Sequence, residues 1–65
     1  MKLNVFEVKV RMAEHKLNAR SLSIAAKADY RAVLRAISDG TTSVITAGKI
    51  ADALGCSVRD IVEVE

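Results

Sequence analysis

Five residues divide this chain more firmly than any other feature. Asn4, Asn18, Asp29, Ser43 and Ser57 each carry a short side-chain oxygen that can accept from the free N–H groups of a helix's first turn. Apolar residues at helical spacing follow each of them. The expected fold is therefore all-α, a compact arrangement of five short helices in a single domain spanning residues 1–65. Gly40 and Gly55 suit the left-handed residue that closes a helix. Hydrophobic residues make up 51% of the chain, yet Phe6 and Tyr30 are its only aromatics. The core must then be Ala, Val, Leu and Ile, which favours short helices packed closely. A core this small is marginal, and oligomerisation or a partner would add to its stability.

The first helix should run to about residue 15 or 16. Asn4 and Glu7 have the spacing of a capping box, and Phe6, Val10, Ala13 and Leu17 form the expected buried stripe. The second helix, about residues 19–27, turns Leu22, Ala25 and Ala26 inward. Its small alanines let a neighbouring helix cross closely. The third, within residues 29–40, has the stripe Ala32 or Val33, Leu34 and Ile37, leaving Tyr30, Arg31 and Arg35 on the other side. The fourth, residues 44–54, buries Val44, Ala47, Ile50, Ala51 and Leu54. Gly48 within it costs about 1 kcal/mol relative to Ala and would mark a close helix contact. Cys56 reads as a small core residue. Ser57 and Asp60 form a second capping box, opening a last turn that packs Val58, Ile61 and Val62. At the two ends Leu3 and Val5, and the terminal IVEVE, alternate with polar residues. These ends could pair as short β segments.

Charge is distributed unevenly. Residues 1–40 hold eight Lys or Arg against four Asp or Glu, and residues 41–65 hold two against four. A basic first part suits a polyanion on one face, although small domains also show such asymmetry by chance. Arg20 and Ser21 lie in the first turn of the second helix, where free N–H groups and a side-chain donor can hold a phosphate. Thr41, Thr42 and Ser43 offer either phosphate contacts or a turn and a cap, with the cap favoured for Ser43. No signal-peptide pattern is present, and no apolar run nears the ~18 residues of a membrane span. One Cys and one His make neither a disulfide nor a metal set. Nothing spaces Ser, Cys and His as nucleophile and base. No catalysis, cofactor or metal is expected, and the setting expected is a reducing cytoplasm.

The order of these segments resembles the Cro/Xre-type, or lambda-repressor-like, helix-turn-helix domain of phage and bacterial regulators. LNARSLSIAAKA resembles that family's second helix and DYRAVLRAISDG its recognition helix with the closing Gly. SVITAGKIADALGCSVRDIVE resembles its last two helices, with a Ser opening a helix that ends in Ala-Leu-Gly. The likeness covers about residues 5–63. The chain departs from the pattern in the turn, where Lys27, Ala28 or Asp29 stands for the usual Gly. The spacing to Leu34 differs by one residue, and Thr41 replaces the Arg or Lys common after the closing Gly.

The resemblance implies sequence-specific binding of double-stranded DNA. The third helix would enter the major groove while the second crosses the backbone. By position, Tyr30, Arg31, Ala32 and Arg35 would face bases. Asn18, Ala19, Arg20, Lys27, Thr41, Thr42 and Ser43 would face phosphates. The expected role is a transcriptional regulator, acting as a repressor and binding as a homodimer. The alternative is a module of the same fold that holds a protein partner such as a toxin, a repressor or a polymerase subunit, which the modest net charge of +2 also fits.

Overall fold

A computed structural model of the chain describes residues 1–63. Among them are four α-helices: α1 (Val5–Glu14), α2 (Ala19–Ala26), α3 (Tyr30–Asp39) and α4 (Val44–Ala53). The expected all-α class holds, but the expected fifth helix is only a single 3-10 turn, Val58–Asp60. Three residues form too short a segment for an α-helical ladder.

Every expected cap is in place. The side chains of Asn4, Asn18, Asp29 and Ser43 accept from the backbone N–H of Glu7, Ser21, Ala32 and Thr46. Ser57 and Asp60 form the expected reciprocal box. Asn18 and Ser21 form another, with both bonds at 2.8 Å. At α1 the box is half made: the Glu7 carboxylate accepts from Arg11 Nε at 3.0 Å. Each cap contributes about 1 kcal/mol by sparing a donor that would otherwise lose its partner.

Three helices stop in the same way. The N–H groups of Leu17, Ala28 and Cys56 donate back to the carbonyls of Met12, Ser23 and Ala51. The residue before each donor is left-handed: Lys16 at φ +57°, Lys27 at +55° and Gly55 at +67°. This six-residue closure satisfies carbonyls that the helix end leaves unpaired.

The core is aliphatic: Leu3, Val8, Met12, Leu22, Val33, Ala36, Ala47, Ile50, Ala51, Leu54 and Ile61 form one buried cluster. α2 packs against both α3 and α4, and α1 against α3. The small Ala36, Ala47 and Ala51 lie within this cluster. The buried hydroxyl of Ser23 donates to the Arg20 carbonyl at 2.7 Å, so it costs little.

Several expected inward faces are corrected. α1 buries Val8 and Met12, whereas Phe6 is 75% exposed and Val10 and Ala13 are also exposed; of the expected stripe, Leu17 does pack against the core, half-buried. Two apolar stripes at helical spacing run along α1, and periodicity cannot choose between them. The entry of the chain chooses: Leu3 N donates to Gly40 O at 2.8 Å and Asn4 N to Ile61 O at 2.7 Å. In α2, Ala25 is exposed and Ser23 takes an inner place. In α3 the buried residues are Val33 and Ala36, with Leu34 at the rim, 39% exposed. Val44, the first residue of α4, is 72% exposed; helical spacing alone does not tell whether a neighbour covers that first turn. Gly48 marks no close contact: a Cβ there would meet nothing within 4 Å.

The expected terminal β segments reduce to two isolated bridges, Lys2 with Thr41 and Leu3 with Val62. The first residues thus lie between the α3–α4 loop and the end of the chain. Thr42 N donates to Met1 O and Glu63 N to Lys2 O. The last two residues of IVEVE lie outside the described residues. No helix among the described residues is long and apolar enough to cross a membrane.

Two pairs of substitutions check this packing by urea unfolding. Ile50→Ala should cost about 2–5 kcal/mol as a buried truncation, and Leu34→Ala about 1 kcal/mol or less. Gly40→Ala should destabilise by more than about 1 kcal/mol, because φ is +85° and the new Cβ would lie 2.6 Å from Leu3 O. Gly48→Ala should instead stabilise by about 0.5–1 kcal/mol. Equal effects at the two glycines would contradict the described backbone.

Candidate nucleic-acid interface

Two features position the exposed side of α3. Asp29 caps its first turn, accepting from Ala32 N at 3.2 Å. Val33 and Ala36 anchor its inner face. Tyr30, Arg31 and Arg35 are consequently exposed, and Ala32 is half-buried at the edge. Arg31 and Arg35 are one turn apart and project from one face. The ion pair among the described residues joins Arg11 to Glu7 on α1, so no carboxylate neutralises Arg20, Arg31 or Arg35 at contact distance there.

Beside this face lies a groove of about 300 Å³ lined by Ala32, Arg35, Thr41, Thr42, Ser43 and Thr46. The structure thus brings two of the four base-facing candidates together with the hydroxyl loop. Thr46 was not singled out from the sequence. Its place three residues after the Ser43 cap was the available signal, since that position lies on the same turn as the cap.

The loop's hydrogen bonds show which donors remain available. Ser43 Oγ accepts from Thr46 N at 3.2 Å and contacts Thr46 Oγ1 at 3.0 Å, so its side chain is engaged in capping. Thr41 N donates to Asp39 Oδ1 at 2.8 Å and Thr42 N to Met1 O at 3.1 Å. Thr42 Oγ1 makes only a long bond to Ser43 O, at 3.4 Å. Loop contacts to a ligand would therefore come from hydroxyls and not from these amides.

Asp39 is the opposing charge. The Thr41 backbone N–H, then the Thr41 side chain, hold its carboxyl below the ordinary carboxylate range, with Lys2 and Arg35 adding to the effect. Asp39 is ionised near neutral pH, and a ligand phosphate at Thr41 would face its charge. As a depressed acid, Asp39 adds stability above its ordinary value, and that contribution is lost as pH falls through the lowered one.

The candidates on α2 are arranged differently. Ala19 opens the helix, and its N–H is one of those without an intrahelical carbonyl. Asn18 spends its side-chain oxygen on Ser21. The Arg20 guanidinium lies over the Tyr30 ring, 5.0 Å from its centroid, a cation–π distance. Lys27 is exposed at the turn into α3, and its carbonyl accepts from Lys49 Nζ at 3.4 Å. Of the three turn residues Lys27, Ala28 and Asp29, Lys27 is the one in the left-handed region that favours Gly.

Cys56 is half-buried, and burial pushes its thiol up, as suits a packing residue. Among the described residues no group of three or more His, Cys, Asp or Glu is placed to hold a metal ion. No family model, curated protein or solved structure matches the chain.

A left-handed non-glycine residue costs about 1–2 kcal/mol. Lys27→Gly should therefore raise stability by about 1 kcal/mol, read as a rise in thermal midpoint of about 4–8 °C. An unchanged or lowered midpoint would mean that the lysine side chain repays its backbone strain.

Proposed function

We propose that this chain binds double-stranded DNA in a sequence-specific manner, as a Cro/Xre-like helix-turn-helix transcriptional regulator acting as a repressor. The observation that carries the reading is the exposed face of α3, with Arg31 and Arg35 one turn apart and in no ion pair at contact distance among the described residues, running into a groove lined by hydroxyls. In this reading α3 enters the major groove and α2 crosses the backbone. Arg31 is the principal base reader, since a guanidinium can donate two bonds to guanine O6 and N7. Arg35, in the groove with Thr41, Thr42 and Thr46, serves the boundary between base and backbone. Ala19 and Lys27 meet phosphates. Two copies on adjacent half-sites would read a palindromic operator. No step of catalysis and no cofactor belongs to this role.

A second reading has its own support. Phe6, Val44 and Ile45 are each more than 70% exposed, and exposed apolar side chains of this size serve protein contacts when they cluster. The same fold would then hold a protein partner, and DNA affinity would be only the general attraction of a basic surface.

Salt separates the two. Phosphate neutralisation releases counterions, so non-specific binding falls steeply with salt, whereas base contacts preserve a preference. In a titration against the chain's own promoter-region DNA and random duplex at two salt concentrations, the promoter DNA should bind more tightly at both. Arg31→Ala should cost about 1–3 kcal/mol on the preferred DNA and much less on random duplex. Equal, weak binding that vanishes at the higher salt would sink this reading in favour of a protein partner.

A further inference from the structure

The guanidinium of Arg20, on α2, reaches an aromatic ring on α3. Arg20 is the second residue of α2 and Tyr30 the first of α3. The charged end nevertheless lies 5.0 Å from the Tyr30 ring centroid, beyond its own helix and over the start of the next. Position on α2 alone would assign Arg20 to the phosphate backbone. The contact instead places it over the first residue of α3, the helix that carries Arg31.

A guanidinium carries five N–H donors in a planar fork, and a single ring at cation–π distance does not engage them all. No carboxylate engages them among the described residues. The stack also restrains a long side chain that would otherwise lose several rotamers on binding, so less freedom is lost per bond formed. A planar donor fork held in this way fits an acceptor pair in one plane, as on the major-groove edge of guanine.

We propose that Arg20 is a base-reading residue for a guanine and that Tyr30 is its positioning residue, the stacked pair forming a second reading element in addition to Arg31. This rests on the DNA-binding reading above and changes the role of both side chains: Arg20 moves from phosphate to base, and Tyr30 acts through Arg20. The ring is the working part of Tyr30, and its hydroxyl is dispensable for this role.

The test uses a duplex selected by the wild-type chain from a random-sequence pool, together with duplexes carrying each single base-pair change. Affinity is measured for the wild type, Arg20→Ala, Arg20→Lys, Tyr30→Ala, Tyr30→Phe and the double alanine variant, with thermal melts to verify folding. Arg20→Ala, Arg20→Lys and Tyr30→Ala should each weaken binding to the selected duplex, by roughly ten-fold for Arg20→Ala. All three should lose discrimination at the same G·C pair. The double variant should be no weaker than Arg20→Ala alone, and Tyr30→Phe should recover the discrimination that Tyr30→Ala loses. A loss in Arg20→Ala that is uniform over all duplexes, with the salt slope falling by about one, would overturn the proposal and return Arg20 to the phosphates. Independent, additive losses for the two residues would overturn it as well. A wild-type chain that selects no sequence would fail before any variant is made, and would remove the DNA-binding reading together with this one.

Discussion

The structure depends on how its first residues are gripped. Leu3 is wholly buried, its N–H bonded to Gly40 O, and Asn4 N bonds Ile61 O. These two bonds join the start of the chain, the end of α3 and the last turn. Gly40 makes the grip feasible: it is buried at φ +85°, and a Cβ there would run into the Leu3 carbonyl. The backbones can approach because one of them has no side chain. With residues 3 and 4 held, α1 can start in only one rotation, and Val8 and Met12 become its inner face.

Around that grip the chain uses inexpensive devices. A side-chain cap opens each helix, and a six-residue backbone closure ends three of them. These local bonds matter in a domain whose core is a handful of Ala, Val, Leu, Ile and one Met, since so small a core has little stability to spare. The left-handed lysines at residues 16 and 27 draw on that margin. Both lie just after a helix end, where a positive charge meets the negative end of the helix dipole. That interaction offsets part of the backbone cost.

The candidate interface obeys the same economy. The α3–α4 loop must satisfy its own backbone, so Thr41 N goes to Asp39, Thr42 N to Met1 O and Ser43 Oγ to α4. What remains for a ligand is a set of hydroxyls and the Arg35 guanidinium. Asp39, close enough to Arg35 for its carboxyl to be lowered by it, tempers the positive field beside the groove. With a net charge of only +2, the DNA-binding role proposed for this face would have to discriminate by geometry more than by charge.

By itself the sequence determined the caps, the Gly40 and Gly55 stops, the all-α class, the aliphatic core and the exposure of Tyr30, Arg31 and Arg35. Each follows from interactions within a few residues of chain, where spacing and side-chain chemistry suffice. Tertiary structure decided which of two stripes on α1 is buried, that Leu34 and Val44 stay outside, and that the fifth element is a single 3-10 turn. It also placed Thr46 in the groove and Arg20 over Tyr30. These depend on contacts between segments far apart in sequence. A helix at 100° per residue permits several inner faces with nearly equal burial, and only the neighbours it meets select one.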